Sequence, residues 1–90
     1  MHFEWDESKR RSNIEKHGID FIRAARLFDG RSRLDAPSPR GREQRILSIG
    51  EVEGMIGAVA WTPRGKDICR IISVRRARDE ETRQYRQIFD

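Results

Sequence analysis

The chain has 90 residues and a formal net charge of +4, which fits one small basic domain spanning residues 1–90. Hydrophobic residues make up 36% and charged residues 38% of it, so the core is thin, yet the chain holds too many aromatic and branched residues to be wholly disordered. The N-terminus lacks a long apolar run and no stretch approaches 18 apolar residues, which argues against a signal peptide and a membrane span.

The N-terminal third predicts a short strand followed by two helices. Residues 2–5 alternate polar with aromatic side chains, as a strand does. Asp6 can then cap a helix that runs to about His17-Gly18, where glycine tolerates the left-handed end. Asp20 begins a second helix, whose apolar residues recur with helical spacing as far as Phe28.

The rest of the chain predicts four strands and a final helix. A short strand near Arg33–Ala36 leads into a basic loop with two prolines. Three strands follow, at about Glu43–Gly50, Met55–Thr62 and Asp67–Arg75, and the short turns between them imply an antiparallel meander. The last helix runs from about Arg78 to Phe89, with an acidic first turn that matches the helix dipole.

The element order is therefore β-α-α-β-β-β-β-α, which predicts an α+β fold. The expected architecture is one antiparallel sheet with the helices packed on one face. The opposite face is then free to carry a functional site.

Basic residues are the strongest chemical feature. Sixteen of the nineteen cations are arginine, whose planar guanidinium binds phosphate bidentately and stacks on bases. A surface of this kind binds nucleic acid in a salt-dependent way, but a solvated basic surface paired with nearby acids explains the same composition. The cluster consists of Arg64, Lys66, Arg70, Arg75, Arg76 and Arg78, and in a meander it can converge with Arg40, Arg42 and Arg45.

Arg70 stands inside an otherwise apolar strand. An unpaired charge there would be costly, so the side chain must reach a partner or open onto a groove. An ion pair with Glu43 or Glu4 is one option, and a phosphate-binding role in an active site is the other.

Other reactive side chains are few. His17 suits proton transfer near neutral pH, but at the end of a helix it also suits the helix dipole. The two histidines form no metal-binding motif, so we predict no metal site and no cofactor. The single Cys69 excludes an internal disulfide and fits a reducing cytosol, and its apolar strand indicates a buried small hydrophobe.

Several segments, taken in order, resemble the BrnT family of ribonuclease toxins, and the resemblance covers nearly the whole chain. They are Phe3-Glu4-Trp5-Asp6, Lys16-His17-Gly18-Ile19-Asp20-Phe21, Ala24-Ala25-Arg26-Leu27-Phe28-Asp29, Glu43-Gln44-Arg45, Thr62-Pro63-Arg64-Gly65, Arg70-Ile71-Ile72-Ser73-Val74-Arg75-Arg76-Ala77 and Tyr85. This resemblance implies a RelE-like fold in a cytoplasmic protein that cleaves RNA and so inhibits translation and growth.

The resemblance also implies partners. BrnT proteins pair with BrnA antitoxins, whose ribbon-helix-helix domain dimerises and binds operator DNA, and the complex commonly holds two copies of each chain. The expected partners are thus an antitoxin, an RNA substrate and, through the antitoxin, operator DNA. Many relatives carry histidine in the segment before Thr62-Pro63-Arg64-Gly65, where this chain has Trp61.

RNA can be cut without a metal through its own 2′-hydroxyl, given a base, an acid and cations around the phosphate. Arginine keeps its proton and so serves as an electrostatic clamp. The predicted catalytic residues are Arg64, Arg70 and Arg75 for the clamp, with Glu43 and His17 for proton transfer. The predicted RNA-binding residues are Lys16, Arg45, Lys66, Arg76 and Trp61, with Trp61 stacking on a base.

Two other functions fit the same residues. The chain could be a catalytically weak or inactive homologue that binds antitoxin as a corepressor, and the absence of histidine before Thr62 favours that possibility. It could also be a basic nucleic-acid-binding domain with no toxin role. A neighbouring gene for a ribbon-helix-helix protein would argue against the last of these.

Overall fold

A computed structural model describes residues 1–38 and 44–89 of the chain. The elements are β1 (His2–Glu4), α1 (Glu7–His17), α2 (Phe21–Ala24) continued by a 3₁₀ turn (Ala25–Phe28), β2 (Arg33–Ser38), β3 (Arg45–Val52), β4 (Met55–Arg64), β5 (Ile68–Arg76) and α3 (Asp79–Phe89). The predicted α+β class and element order are confirmed. No helix in these two ranges is long and apolar enough to cross a membrane.

The five strands form one sheet in the order β1-β5-β4-β3-β2. Strands β2 to β5 are an antiparallel meander, as predicted. The prediction of a wholly antiparallel sheet was wrong at one edge, since β1 pairs with β5 in parallel, with Glu4 opposite Arg70. A parallel pair needs a long connection, which here runs over residues 5–67 and includes α1, α2 and the other three strands.

Cap geometry confirms both predicted ends of α1 and the predicted start of α2, whereas the second helix changes to a 3₁₀ turn after Ala24. The Asp6 carboxylate accepts from the backbone N–H groups of Ser8 and Lys9, and Gly18 ends α1 in the left-handed region at φ 71°. The Asp20 carboxylate caps α2 by accepting from the N–H of Ile22. These side chains satisfy backbone groups that a helix terminus leaves unpaired.

The turn between β3 and β4 is tighter than predicted. Strand β3 continues to Val52, which pairs with Met55, so Glu53 and Gly54 alone make the turn. Both have positive φ, 46° and 85°, as a two-residue hairpin turn requires.

The main core lies between the sheet and the first two helices, on what we call the back face. Phe21, Ala24 and Leu27 from the helical segment are fully buried there, against Val59 and Val74 of the sheet. Burial of this apolar area is the dominant stabilising contribution, at about 25 cal/mol for each Å² removed from water.

The opposite side of the sheet, which we call the open face, is only partly covered. A smaller cluster around Ile49 and Ala58 packs with Tyr85 of α3 near one end of this face. The expectation that all helices lie on one face is therefore corrected, because α3 packs on the side opposite to α1 and α2. The face expected to be free of helices is therefore free only where α3 leaves it uncovered.

Strand β5 extends beyond its partner β1, which pairs with it only up to Arg70. Beyond that point, Asn13 of α1 takes the place of a neighbouring strand. Its amide nitrogen donates to the carbonyl of Val74 at 2.9 Å, and its amide oxygen accepts from the Val74 N–H at 3.1 Å. The register also shifts here, since Ala60 pairs with Ser73 and Trp61 pairs with Ile71, which leaves Ile72 as a bulge.

Candidate functional site

One end of the open face carries a row of polar side chains across neighbouring strands. Glu4 of β1 stands opposite Arg70 of β5, which stands opposite Thr62 of β4. The Arg70 guanidinium donates to the Glu4 carboxylate at 2.6 Å, with about a third of each side chain exposed. Of the two ion-pair partners expected for Arg70, Glu4 is therefore confirmed. Because this pair remains open to solvent, it can also meet a ligand.

Two further arginines lie on the same face near this pair. Arg64 follows Thr62 by two residues on β4 and is exposed, so it lies diagonally from Arg70 at a distance of about 7–8 Å between backbones. Extending the β3–β4 register by one pair beyond Ile46 and Trp61 places Arg45 beside Thr62. We call Glu4, Arg70, Thr62, Arg64 and Arg45 the basic row.

Arg75 also points to the open face but belongs to its other end. It pairs with Ala58, four residues along β4 from Thr62, or about 13 Å at 3.3 Å per residue. Its guanidinium binds Glu81 of α3 through two nitrogens at 2.8 and 3.0 Å. This hydrogen-bonded pair raises the pKa of Arg75 and lowers that of Glu81. Arg75 thus anchors α3, and the structure does not bring it together with Arg64 and Arg70.

His17 and Lys16 lie at the outer edge of β5, beside the bulge. With Lys9, Asn13 and Ser73 they line a shallow pocket of about 200 Å³. Both side chains are exposed at the end of α1, where cations also match the helix dipole. The pocket is a second basic surface, next to the strand that carries Arg70.

Trp61 lies in the core, and its position does not support base stacking. Its ring is only 7% exposed and meets Phe28 edge-on, with the two centroids 5.3 Å apart. Its indole N–H donates to the Ser48 hydroxyl at 2.8 Å, and that hydroxyl donates to the Asp35 carboxylate at 2.5 Å. Position 61 therefore serves packing on the back face.

The remaining predicted residues are spread out. Lys66 is exposed in the β4–β5 turn, close in sequence to Arg64. Arg76 lines a different pocket, of about 430 Å³, between α3 and the β3–β4 hairpin. Glu43 lies outside the described residues. Within the described part of the chain, no three histidine, cysteine, aspartate or glutamate side chains cluster as metal ligands do.

Cys69 is fully buried beside the main core, as predicted. Burial raises the pKa of its thiol to about 12, so the reactive thiolate is scarce at neutral pH. Cys69 is a packing residue.

Sequence reasoning missed two residues of the site region. Glu4 was considered only as one possible partner of Arg70, and its own chemistry was overlooked. Asn13 was overlooked because a lone asparagine in a charged helix gives no sign of burial, although the side chain is 6% exposed.

A family model described as the ribonuclease toxin BrnT of type II toxin–antitoxin systems matches residues 5–81. The crystal structure of the Brucella abortus ribonuclease toxin BrnT is similar, with 36% sequence identity and a TM-score of 0.68, over 88% of this chain and 99% of that chain. None of the curated proteins matches the chain. The chain belongs to the BrnT family of ribonuclease toxins, as its sequence motifs predicted.

Proposed function

We propose that this protein is an endoribonuclease toxin that cleaves RNA at the basic row without using a metal ion. The observation that carries the proposal is the Glu4–Arg70 pair, open to solvent and flanked by Arg64 and Arg45 on the uncovered part of the sheet. A flat, cationic face suits an extended RNA strand, because its phosphates recur along the chain and its bases need no deep pocket.

The proposed chemistry of RNA cleavage follows from the positive charges of these arginines. Arg64 and Arg70 bind the scissile phosphate and stabilise the charge that develops on it in the transition state. Arg45 supports them from β3. The attacking group is the 2′-hydroxyl of the RNA itself.

The other predicted residues have separate roles in this proposal. His17 moves a proton at the outer edge of β5, and Lys16 holds a flanking phosphate there. Lys66 and Arg76 contact RNA beyond the scissile phosphate. Glu43 remains a candidate for proton transfer. Arg75 is reassigned from the clamp to the anchoring of α3, because Glu81 occupies its guanidinium.

The partner of such a toxin is an antitoxin. We propose one of the BrnA type, with a ribbon-helix-helix domain, in a complex of two toxin and two antitoxin chains that binds operator DNA through the antitoxin. RNA cleavage in the cytoplasm would then inhibit translation and growth whenever the antitoxin is depleted.

Induction of the chain alone in a bacterial host tests the proposal, with growth and total RNA integrity followed together. We expect growth arrest with RNA loss, reversed by co-expression of the antitoxin. The double change of Arg64 and Arg70 to Ala should abolish both effects while the protein stays folded. The matched control is Arg26→Ala, since Arg26 is exposed and lies with Glu53 at the hairpin turn, away from the basic row.

Two outcomes would change the conclusion. Toxicity that survives the double change would place the clamp elsewhere. Normal growth with folded, antitoxin-binding protein would favour the corepressor function. For the purified protein, cleavage that persists in excess EDTA is expected, and loss of cleavage there would contradict metal independence.

A further inference from the structure

The reaction needs a base at the 2′-hydroxyl, and the described part of the basic row contains one carboxylate. Glu4 ends β1 opposite Arg70. Its carboxylate is 34% exposed and lies 2.6 Å from a nitrogen of the Arg70 guanidinium. A group at this position can touch a substrate whose phosphate is bound by Arg70 and Arg64.

Other described acids near the sheet are committed elsewhere. Glu81 is bound by Arg75 through both oxygens and also accepts from the N–H of Arg78. Asp35 accepts from Ser48 on the back face. Glu51 faces the open side but lies at the α3 end, where it lines the pockets beside Tyr85 and Arg76. Asp67 lies in the β4–β5 turn, where its carboxylate pairs with the N-terminal amine at 3.5 Å and not with an arginine of the basic row. Glu4 is thus the acid placed for chemistry at the basic row.

We propose that Glu4 is the general base of RNA cleavage, an inference that rests on the ribonuclease function proposed above. Arg70 has two roles in this arrangement. It holds the Glu4 carboxylate in place in the free protein, and it presents the scissile phosphate beside that carboxylate in the complex. A candidate base must lie within hydrogen-bond reach of its proton, and sharing one guanidinium brings carboxylate and phosphate that close.

The step balances without any co-reactant. The Glu4 carboxylate takes the proton of the 2′-hydroxyl as the 2′-oxygen bonds to phosphorus. The bond from phosphorus to the 5′-oxygen breaks, and that oxygen leaves with a proton, which His17 supplies in the function proposed above. The products are a 2′,3′-cyclic phosphate and a 5′-hydroxyl, and Glu4 then returns its proton to solvent.

Glu4→Gln tests the proposal, because glutamine keeps the shape and an oxygen that accepts from Arg70 but cannot act as the base. Purified wild type and variant would be compared on total bacterial RNA and on one mixed-sequence oligoribonucleotide, with kcat, KM and thermal midpoint measured. We expect kcat to fall by about 100-fold or more, with KM and midpoint little changed. Glu4→Asp, which keeps the carboxylate on a shorter arm, should recover part of the rate.

The pH profile separates a base from a merely structural residue. The charged and titratable groups around Glu4 are Arg70 on β5, Arg64 on β4 and His2 on its own strand. The His2 imidazole lies 3.9 Å from Asp67 of the β4–β5 turn. Because only an ionised carboxylate can act as the base, the wild-type rate should decline at acid pH. Glu4→Gln should lack that decline, whereas His2→Gln should keep it.

Glu53→Gln is the matched control. Glu53 also pairs with arginines, namely Arg23 at 2.5 Å and Arg26 at 2.8 Å, but at the hairpin turn. The Glu53→Gln variant should retain the wild-type rate of RNA cleavage.

The outcomes distinguish the two proposals. If the wild type cleaves RNA and Glu4→Gln cleaves within about threefold of it with the same pH profile, the role of Glu4 is overturned and the ribonuclease function stands. If the folded wild type cleaves no RNA, both proposals fail. A 2′,3′-cyclic phosphate end on the product, found by mass spectrometry, supports the attack by the 2′-oxygen, and a linear 3′-phosphate formed without a cyclic precursor contradicts it.

Discussion

The side chain of Asn13 hydrogen-bonds both backbone groups of Val74, and the same amide nitrogen also donates to the carbonyl of Ile19 at 2.9 Å. One buried amide thereby joins α1, the loop before α2 and the uncovered edge of β5. Asn13 satisfies the backbone groups of that edge as a sixth strand would, beside the pocket that His17 lines.

Asn13→Ala should destabilise the protein by about 2–4 kcal/mol. The change leaves buried backbone groups of Val74 and Ile19 without their partner, and each such group costs roughly 1–3 kcal/mol. Urea unfolding followed by circular dichroism measures the effect. Ser12→Ala, an exposed neighbour on the same helix, should change the unfolding free energy by less than about 0.5 kcal/mol; equal effects of the two changes would show that the Asn13 bonds contribute little.

Arg64→Ala should weaken RNA binding and reduce its dependence on salt. Each phosphate contact to single-stranded nucleic acid contributes about 0.7 to the slope of log affinity against log salt, so the loss of one contact should lower the slope by about that amount. Fluorescence anisotropy with a 2′-O-methyl oligoribonucleotide, which lacks the attacking hydroxyl, measures binding alone. An unchanged slope for Arg64→Ala, or an equal loss for the control Arg26→Ala, would remove Arg64 from the RNA surface.

The Arg75–Glu81 pair predicts a pH dependence of stability. The pKa of Glu81 is lowered in the folded protein from its ordinary value of 4.5, chiefly by its hydrogen bond with Arg75. A depressed pKa means that the pair stabilises the fold fully above pH 4.5, and that this contribution is lost as the pH falls through the lower folded value. Glu81→Gln should lower the unfolding free energy at pH 7 by roughly 1–2 kcal/mol. On acidification, the unfolding free energy of the variant should fall less than that of the wild type.

Glu80→Gln is the control for that measurement, since Glu80 is exposed in the same helical turn. Its unfolding free energy should follow the wild-type curve between pH 7 and pH 3. If Glu81→Gln follows that curve too, the pair contributes nothing measurable.

Cys69 should be unreactive in the native protein. Because its thiol is buried and its pKa is raised to about 12, a disulfide reagent such as DTNB should modify it only after the chain unfolds. The same sample in denaturant provides the control, with one thiol per chain. Rapid modification under native conditions would show that β5 opens locally.

Local signals in the sequence predicted the elements well, and the contacts between distant elements less well. Asp6, Gly18 and Asp20 cap helices through contacts with backbone groups close to them in sequence. Their capping roles could therefore be predicted from the local sequence. The strand after Gly54 was equally clear. The parallel pairing of Glu4 with Arg70 joins residues 66 positions apart, and nothing in the local pattern of either strand favours it over an antiparallel sheet.

The candidate site was predicted in part for the same reason. Alternation along β4 and β5 could suggest that Arg64 and Arg70 share a face, but the bulge at Ile72 changes the alternation before Arg75. Trp61 was predicted to meet RNA because aromatic residues commonly stack on bases, yet a tryptophan is also the largest residue that a thin core can use. The burial of the ring against Phe28 and its hydrogen bond to Ser48 distinguish these roles.

The pairing of the first strand with the last also has a consequence for synthesis. A ribosome completes β2, β3 and β4 before it adds Arg70, so Glu4 has no Arg70 to pair with during most of translation. Contacts so far apart in sequence form late and slowly. The Glu4–Arg70 pair is therefore absent until β5 has been made, and the basic row is completed only late in synthesis.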